Sequence, residues 1–426
     1  RRPQLGRLKN ANRYEVILHN RMYGANRGDS RALRIPIVGL LALGLRGSGA
    51  VAALGYIWIL DQWLASDVLG RLLILMALIG LIAGLSNAGW LQVLIRDGTG
   101  YPARCQRFLH TAQRWGRGLA LITTMPMMFF LSPSVHGLLV LCCILLTDLT
   151  LIAAACRAQG DFWRPMLALG VLRWGLAASL VIGMSFLQDI NLFWVLFTQA
   201  VGLFMTRAWL GASARNAGVG ALGFGLSLPP QRSHGSLLPK GTLALWFGQV
   251  GQTLFQNLDI LVLSFIVAPE AAMGYLVFRR IATSLGLLFD ALRAVFEPKI
   301  ALALRCGSLG PAKAQINIYF ALFGAVGALA LCVFMPVLAQ IFNLKQPVSI
   351  GFTLVLANAA PAVFGAGGML LSMSGQERLR SKLVWLLLPL VFVSYLIAAT
   401  MGVMVLAYAV ALHSMGLWGL YRWFLR

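Results

Sequence analysis

The chain has 426 residues, of which 59% are hydrophobic and 11% charged, with a mean hydropathy of +0.79. That lies outside the range of soluble domains and leaves no room for a separate soluble one; it describes a polytopic membrane protein. The 35 Lys and Arg against 13 Asp and Glu give a net charge of +22, which in a soluble chain would point to nucleic acid, but the placement of the charges along this chain points elsewhere.

Residues 1–39 form a basic tail without the apolar core of a signal peptide, so it is expected to stay on the protein as a flexible arm against anionic headgroups. The chain begins with Arg1 rather than Met, and its true start is expected upstream. A membrane span needs about 20 mostly apolar residues. Such stretches fall near 40–60, 72–95, 118–132, 137–156, 166–187 and 190–210, and again near 242–266, 271–296, 316–340, 350–373, 383–400 and 404–424. Between the two sets lies a Gly, Ser, Pro and Arg mixture over residues 212–241. The organisation is therefore read as a tail (1–39), a first lobe (40–211, spans one to six), a linker (212–241) and a second lobe (242–426, spans seven to twelve).

With the N-terminus inside, 29 of the 35 basic residues are assigned to tails and loops on the cytoplasmic side, against Arg71 and Lys345 outside. The excess of Lys and Arg in short cytoplasmic loops sets orientation, so both termini and the linker are expected in the cytoplasm. Four arginines remain inside spans: Arg46, Arg173, Arg279 and Arg280. The six cysteines, Cys105, Cys142, Cys143, Cys156, Cys306 and Cys332, have no spacing typical of zinc, and no disulfide, metal or cofactor is expected. The two halves echo one another: an acid shortly precedes a Gly in "LASDVLGRLLI" and in "VAPEAAMGYLV". Asp161 and Glu377 each stand three residues before an arginine, Arg164 and Arg380. Six spans per half give a parallel repeat about the membrane normal, with the site between the lobes.

Two spans carry polar stripes. In span eight Tyr275, Arg279, Thr283, Gly286, Asp290, Arg293 and Glu297 share one helical face, and in span seven Gln249, Gln252, Gln256 and Asp259 share another. Ionised groups at bilayer depth cannot face lipid, so both stripes must face a partner helix or water. Asp290, Arg293 and Glu297 can neutralise one another at i,i+3 and i,i+4. Arg279 has no acid within a turn of its own helix. Arg280, Arg46 and Arg173 are close enough to span ends to snorkel, and with Arg279 they are the candidate ligands of an anionic headgroup. The planar guanidinium fork suits phosphate. Asp259 admits two readings: an ion-coupling group that takes Na⁺ or a proton, or a static partner of Arg279 or Arg280. In span ten, Pro361 and Gly365 to Gly368 permit a bend, either as a packed kink or as a hinge.

The segment "FQNLDILVLSFIVAPEAAMGYLVFRRIATSLGLLFDALRAVFEPKIALAL", with Asp259, Gly274, Tyr275 and Pro298 at characteristic places, resembles spans seven and eight of polysaccharide flippases of the MOP (multidrug, oligosaccharidyl-lipid, polysaccharide) superfamily. "GLSNAGWLQVLIRDG" is similar to the end of their second span, and the likeness covers about residues 40–424. The resemblance implies an all-α protein of two six-helix lobes in a V, as in the MATE/MOP fold, that opens alternately to either side of the bacterial inner membrane. It implies undecaprenyl-pyrophosphate-linked oligosaccharide as substrate, in O-antigen or exopolysaccharide biosynthesis, with a polysaccharide polymerase and chain-length machinery as partners. Two rivals stand beside it. A MATE-type multidrug or cation antiporter would share the fold, but a cationic cargo asks for an acidic or aromatic lining. A membrane polysaccharide polymerase would need large outer loops, and none is present; no His pair, acid pair or Gly-rich phosphate loop stands at catalytic spacing.

Overall fold

The computed structural model describes residues 31–87, 89–98, 102–216, 242–305, 309–373 and 376–425. Residues 1–30, most of the linker and Cys306 lie outside the described residues. The helices are α1 (Arg31–Asp61), α2 (Ser66–Asn87), α3 (Trp90–Gly98), α4 (Pro102–Thr124), α5 (Pro133–Ala158), α6 (Trp163–Ser185) and α7 (Leu192–Asn216), then α8 (Thr242–Ile266), α9 (Pro269–Arg305), α10 (Leu309–Ile341), α11 (Val348–Phe364), α12 (Gly367–Met373), α13 (Glu377–Met401) and α14 (Val403–Trp423). Among the described residues eight of these helices are long and apolar enough to cross a membrane by themselves; with α3 taken as a short extension of span two and α11 and α12 together as span ten, the helix order follows the expected twelve.

In the first lobe α5 is the central helix, packed by α2, α3, α4 and α7, while α6 lies between α7 and α1. In the second, α8 lies along α13, α9 packs on α10 and α11, and α14 closes against α11 and α13. The lobes meet where α9 crosses α1 and α2 and where α8 crosses α2. The two helices with the polar stripes are thus those that face the opposite lobe. Conversely, α10 carries exposed Ile318, Leu322, Val326, Leu329, Val333 and Val337 along one side. In water such a stripe would drive association; in a bilayer it is the lipid-facing side.

Three sequence expectations are corrected. Span two, expected as one run over 72–95, ends at Asn87, and Gly89 (φ +80°) turns the chain into α3. A β-carbon at Gly89 would stand 2.7 Å from the Trp246 amide nitrogen of α8, so glycine serves both the turn and the contact between lobes. Span three begins at Pro102 rather than near 118: the polar stretch expected as a loop is helical, and its Cys105, Leu109, Ala112 and Gln113 are buried. Hydropathy missed it because its buried side packs on protein instead of lipid. Arg117, counted above as a cytoplasmic loop charge, is therefore a half-buried residue of a first-lobe helix, and Arg207 in α7, counted in the same way, is buried. Span one likewise starts at Arg31, inside the residues assigned to the tail.

Span ten is broken as Pro361 and the glycines suggested. Gly365 has φ +81°, and the Asn317 carboxamide oxygen of α10 accepts from the Ala366 amide at 3.0 Å, satisfying a donor that the break leaves free. One turn of α6, Ala168–Leu172, is wound as π-helix, a local irregularity often found beside functional positions. There Gly170 meets Gly49 of α1, and a β-carbon at Gly49 would lie 2.7 Å from the Gly170 Cα. Gly49→Ala is therefore expected to push α1 off α6 and lower stability by about 1–3 kcal/mol, read as a drop in the unfolding temperature of the purified protein. An unchanged temperature would show that the crossing has slack.

Candidate functional site: a basic cavity between the lobes

A cavity of about 650 Å³ lies between the lobes, walled by α1, α3, α5 and α6 on one side and by α8, α9, α11, α13 and α14 on the other. Of the candidate residues, Arg46, Arg173, Arg279, Arg280, Gln249, Gln252, Gln256, Asp290 and Arg293 line it; Asp259 and Tyr275 do not. The span-eight stripe explains why. From Arg279 through Thr283, Gly286, Asp290 and Arg293 to Glu297 each member faces the same space, whereas Tyr275 is fully buried above it.

Among the described residues six arginines line the cavity, the sixth being Arg157 at the end of α5, against two acids, Asp290 and Glu297. Asp290 pairs with Arg293 at 3.4 Å. The expected second pair, Arg293 with Glu297, is not formed among the described residues; the Arg293 guanidinium instead stands 5.9 Å from the centre of the Trp418 ring. Arg46, Arg157 and Arg173 each hold a buried Nε without an acceptor among the described residues. A buried guanidinium N–H without an acceptor is costly, so these walls call for water or an anion. Arg280 does not snorkel away: its guanidinium lies 5.1 Å from the Trp174 ring centre, and that of Arg173 lies 4.5 Å from the same ring. Trp174, backed by Tyr56 at 5.6 Å, offers a negative π face to both cations and lets two like charges sit side by side.

Arg279 is held differently. Its Nε stands 2.8 Å from the Asp259 Oδ2, and its Nη2 donates to the Gln256 carbonyl oxygen at 2.7 Å. The Tyr275 hydroxyl donates to the same Asp259 oxygen at 2.6 Å. Asp259 is 1% exposed, and its Oδ1 has no hydrogen-bond partner among the described residues. Of the two readings of Asp259, pairing with Arg279 is the arrangement present; the guanidinium nevertheless borders the cavity, so one cation touches both the acid and the open space. Around it, Gln249 accepts from Gln92 of the first lobe at 3.5 Å, and Gln252 accepts from the Tyr421 hydroxyl at 3.0 Å.

The sequence reading did not single out Arg157, Trp174 or Tyr395 as cavity residues, and it passed over Asp148. That acid, in the middle of α5, is 1% exposed and is gripped by Arg117 (Nη2 to Oδ2, 2.7 Å) and Arg207 (Nε to Oδ2, 3.0 Å), tying α4, α5 and α7 together. Its signal was available: an acid within "LLTDLT" cannot face lipid and must find a cation on a neighbouring helix.

Solved structures align with the chain nearly end to end. An outward-facing MATE multidrug-resistance transporter of the MOP superfamily superposes with a TM-score of 0.62 at 15% identity, over 93% of this chain and 96% of that one. The fold is that of the MATE transporters. A mutant of the Vibrio cholerae MATE transporter VcmN superposes with a TM-score of 0.61 at 11% identity, over 92% and 96%, and an inward-facing MATE transporter with 0.56 at 13%, over 91% and 97%. No protein-family model matches the sequence, and no curated protein matches it. The MATE fold accounts for the two lobes and the space between them; what that space accepts is read from its own side chains.

Proposed function

We propose that this chain is a flippase that moves undecaprenyl-pyrophosphate-linked oligosaccharide across the bacterial inner membrane by alternating access of the central cavity, for O-antigen or exopolysaccharide biosynthesis. One observation carries the reading: among the described residues, six arginines against two acids line the space between the lobes. Basic walls of low dielectric concentrate anions and repel cations, and guanidinium groups whose donors are unmet suit the oxygens of a pyrophosphate. The polar and aromatic lining, with Gln249, Gln252, Gln256, Trp174, Tyr395 and Trp418, supplies hydrogen-bonding groups and ring faces of the kind sugars use. Both termini and the linker are cytoplasmic in this reading, with the lobes spanning 40–211 and 242–426, and the substrate enters from the side where the Arg-rich loops lie.

A second reading, a MATE-type drug or cation antiporter, is favoured by the names of the matched structures and by Asp259 beside the cavity. The two part in a transport assay. Inverted vesicles containing the protein, supplied with lipid-linked oligosaccharide, should protect the sugar from an added glycosidase in the lumen, whereas a cationic dye should not accumulate. Dye accumulation without sugar protection would transfer the protein to the antiporter class. The orientation is checked separately: Ser236→Cys, in the linker, is expected to stay unlabelled by an impermeant maleimide in intact cells and to react once the cells are opened. Efficient labelling from outside would reverse the topology.

A further inference from the structure

A second concavity, of about 430 Å³, opens on the outer flank of the second lobe and shares no residue with the central cavity. Its floor is apolar, with Ile318 and Ala321 of α10, Val363 and Phe364 of α11 and Leu370 of α12, and its rim carries Lys313 and Arg422 but, among the described residues, no acid. Lys313 stands near the start of α10 and Arg422 in the last turn of α14, so both cations lie at the same end of the bundle, where spans begin and finish. The groove faces lipid: Ile318 is 65% and Val363 55% exposed, and only 11% of the most apolar stretch of α10 is buried.

The cations are positioned but not neutralised. Lys313 Nζ donates to the Leu425 carbonyl oxygen at 2.7 Å and Arg422 Nη1 to the Val363 carbonyl oxygen at 2.9 Å. Each spends one donor, out of three and five, and neither is ion-paired among the described residues. The groove also straddles the break in span ten, where Gly365 turns the chain and Asn317 holds the Ala366 amide. A charged rim at the bundle end above an apolar, lipid-exposed floor has the chemistry of one occupant, a lipid with an anionic head.

We propose that this groove binds an anionic glycerophospholipid of the surrounding bilayer, its phosphate held between Lys313 and Arg422 and an acyl chain laid along Ile318, Val363 and Phe364. So seated, the lipid bridges α10 and α14 across the break at Gly365 and steadies the half of span ten that closes the second lobe. The site is independent of the central cavity, and its existence does not depend on what that cavity carries.

The test uses the full chain in nanodiscs of phosphatidylcholine with and without phosphatidylglycerol of the same acyl chains, read by unfolding temperature and by native mass spectrometry of retained lipid. Phosphatidylglycerol should raise the unfolding temperature and be retained. Lys313→Gln with Arg422→Gln should remove the increment, with retention falling roughly fivefold per charge lost, whereas Lys313→Arg should keep it. Ala321→Trp fills the floor while leaving both cations in place, and should also lose the increment; it decides the matter if the double variant fails to fold. An equal increment in wild type and Ala321→Trp, or the same increment from inorganic phosphate in pure phosphatidylcholine, overturns the proposal.

Discussion

Arg46→Glu combined with Arg279→Glu is expected to abolish transport of lipid-linked oligosaccharide, and with it the complementation of a flippase-null strain. Each substitution replaces a cation on the cavity wall by an anion that would repel the pyrophosphate of the proposed substrate. Even simple truncation to Ala removes charge-assisted hydrogen bonds worth about 1.5–3 kcal/mol apiece. The two positions differ in what else they disturb. Among the described residues Arg46 has no ion-pair partner and its buried Nε no acceptor, so Arg46→Ala should weaken substrate binding with little loss of stability. Arg279 also neutralises Asp259, so its loss strikes both binding and folding. Lys at position 46 should retain part of the activity if charge suffices and none if the planar two-pronged fork is required. Full complementation by the double Glu variant would remove the cavity arginines from the mechanism.

The second large effect is expected at Asp259. Asp259→Asn leaves the Arg279 guanidinium buried without its counter-charge, a change that costs about 3–5 kcal/mol when one member of a buried pair is removed. Adding Arg279→Gln should recover much of that stability, because no charge is then stranded, and the double variant should fall well short of the sum of the single ones. The Tyr275 hydroxyl on the same carboxylate oxygen predicts a smaller, coupled loss in Tyr275→Phe. Transport measured beside stability separates the roles. If Asp259 only holds α8 to α9, the double variant regains gradient-dependent transport in proportion to its stability. If Asp259 also takes Na⁺ or a proton, through the unpartnered Oδ1, Asp259→Asn abolishes gradient dependence and no substitution at Arg279 restores it.

The twelve-span, two-lobe reading was legible because hydropathy and helical periodicity are local properties. The run over residues 318–339, without a charged side chain, has one low-energy home, and the spans expected near 242–266 and 404–424 are found at Thr242–Ile266 and Val403–Trp423. The polar faces were legible for the same reason. Residues three or four apart must share a side of a helix, so the stripe from Arg279 to Glu297 entered the cavity as one unit. Legibility failed where protein replaced lipid as the apolar partner. The first half of α4 is polar enough to read as a loop, yet its Gln113 is buried, and Arg117 at the following turn finds Asp148 on α5; nothing within a twenty-residue window records that a distant helix will supply the counter-charge.

Composition and pattern alone determined that this chain crosses a membrane about a dozen times, that it divides into two sets of six helices, and that arginines lie within its spans. Those conclusions follow from the cost of exposing apolar surface to water or charge to lipid, which each segment meets separately. The tertiary structure decided which arginine is spoken for and which is not. Arg279 and Arg280 are neighbours in sequence, yet one turns to Asp259 and the other to Trp174, because successive helical residues point about 100° apart and meet different helices. It likewise decided that Arg46, Arg157 and Arg173, from three separate spans, share one cavity with them. Pairing depends on which helices become neighbours, a property of the packed lobes that no single span carries.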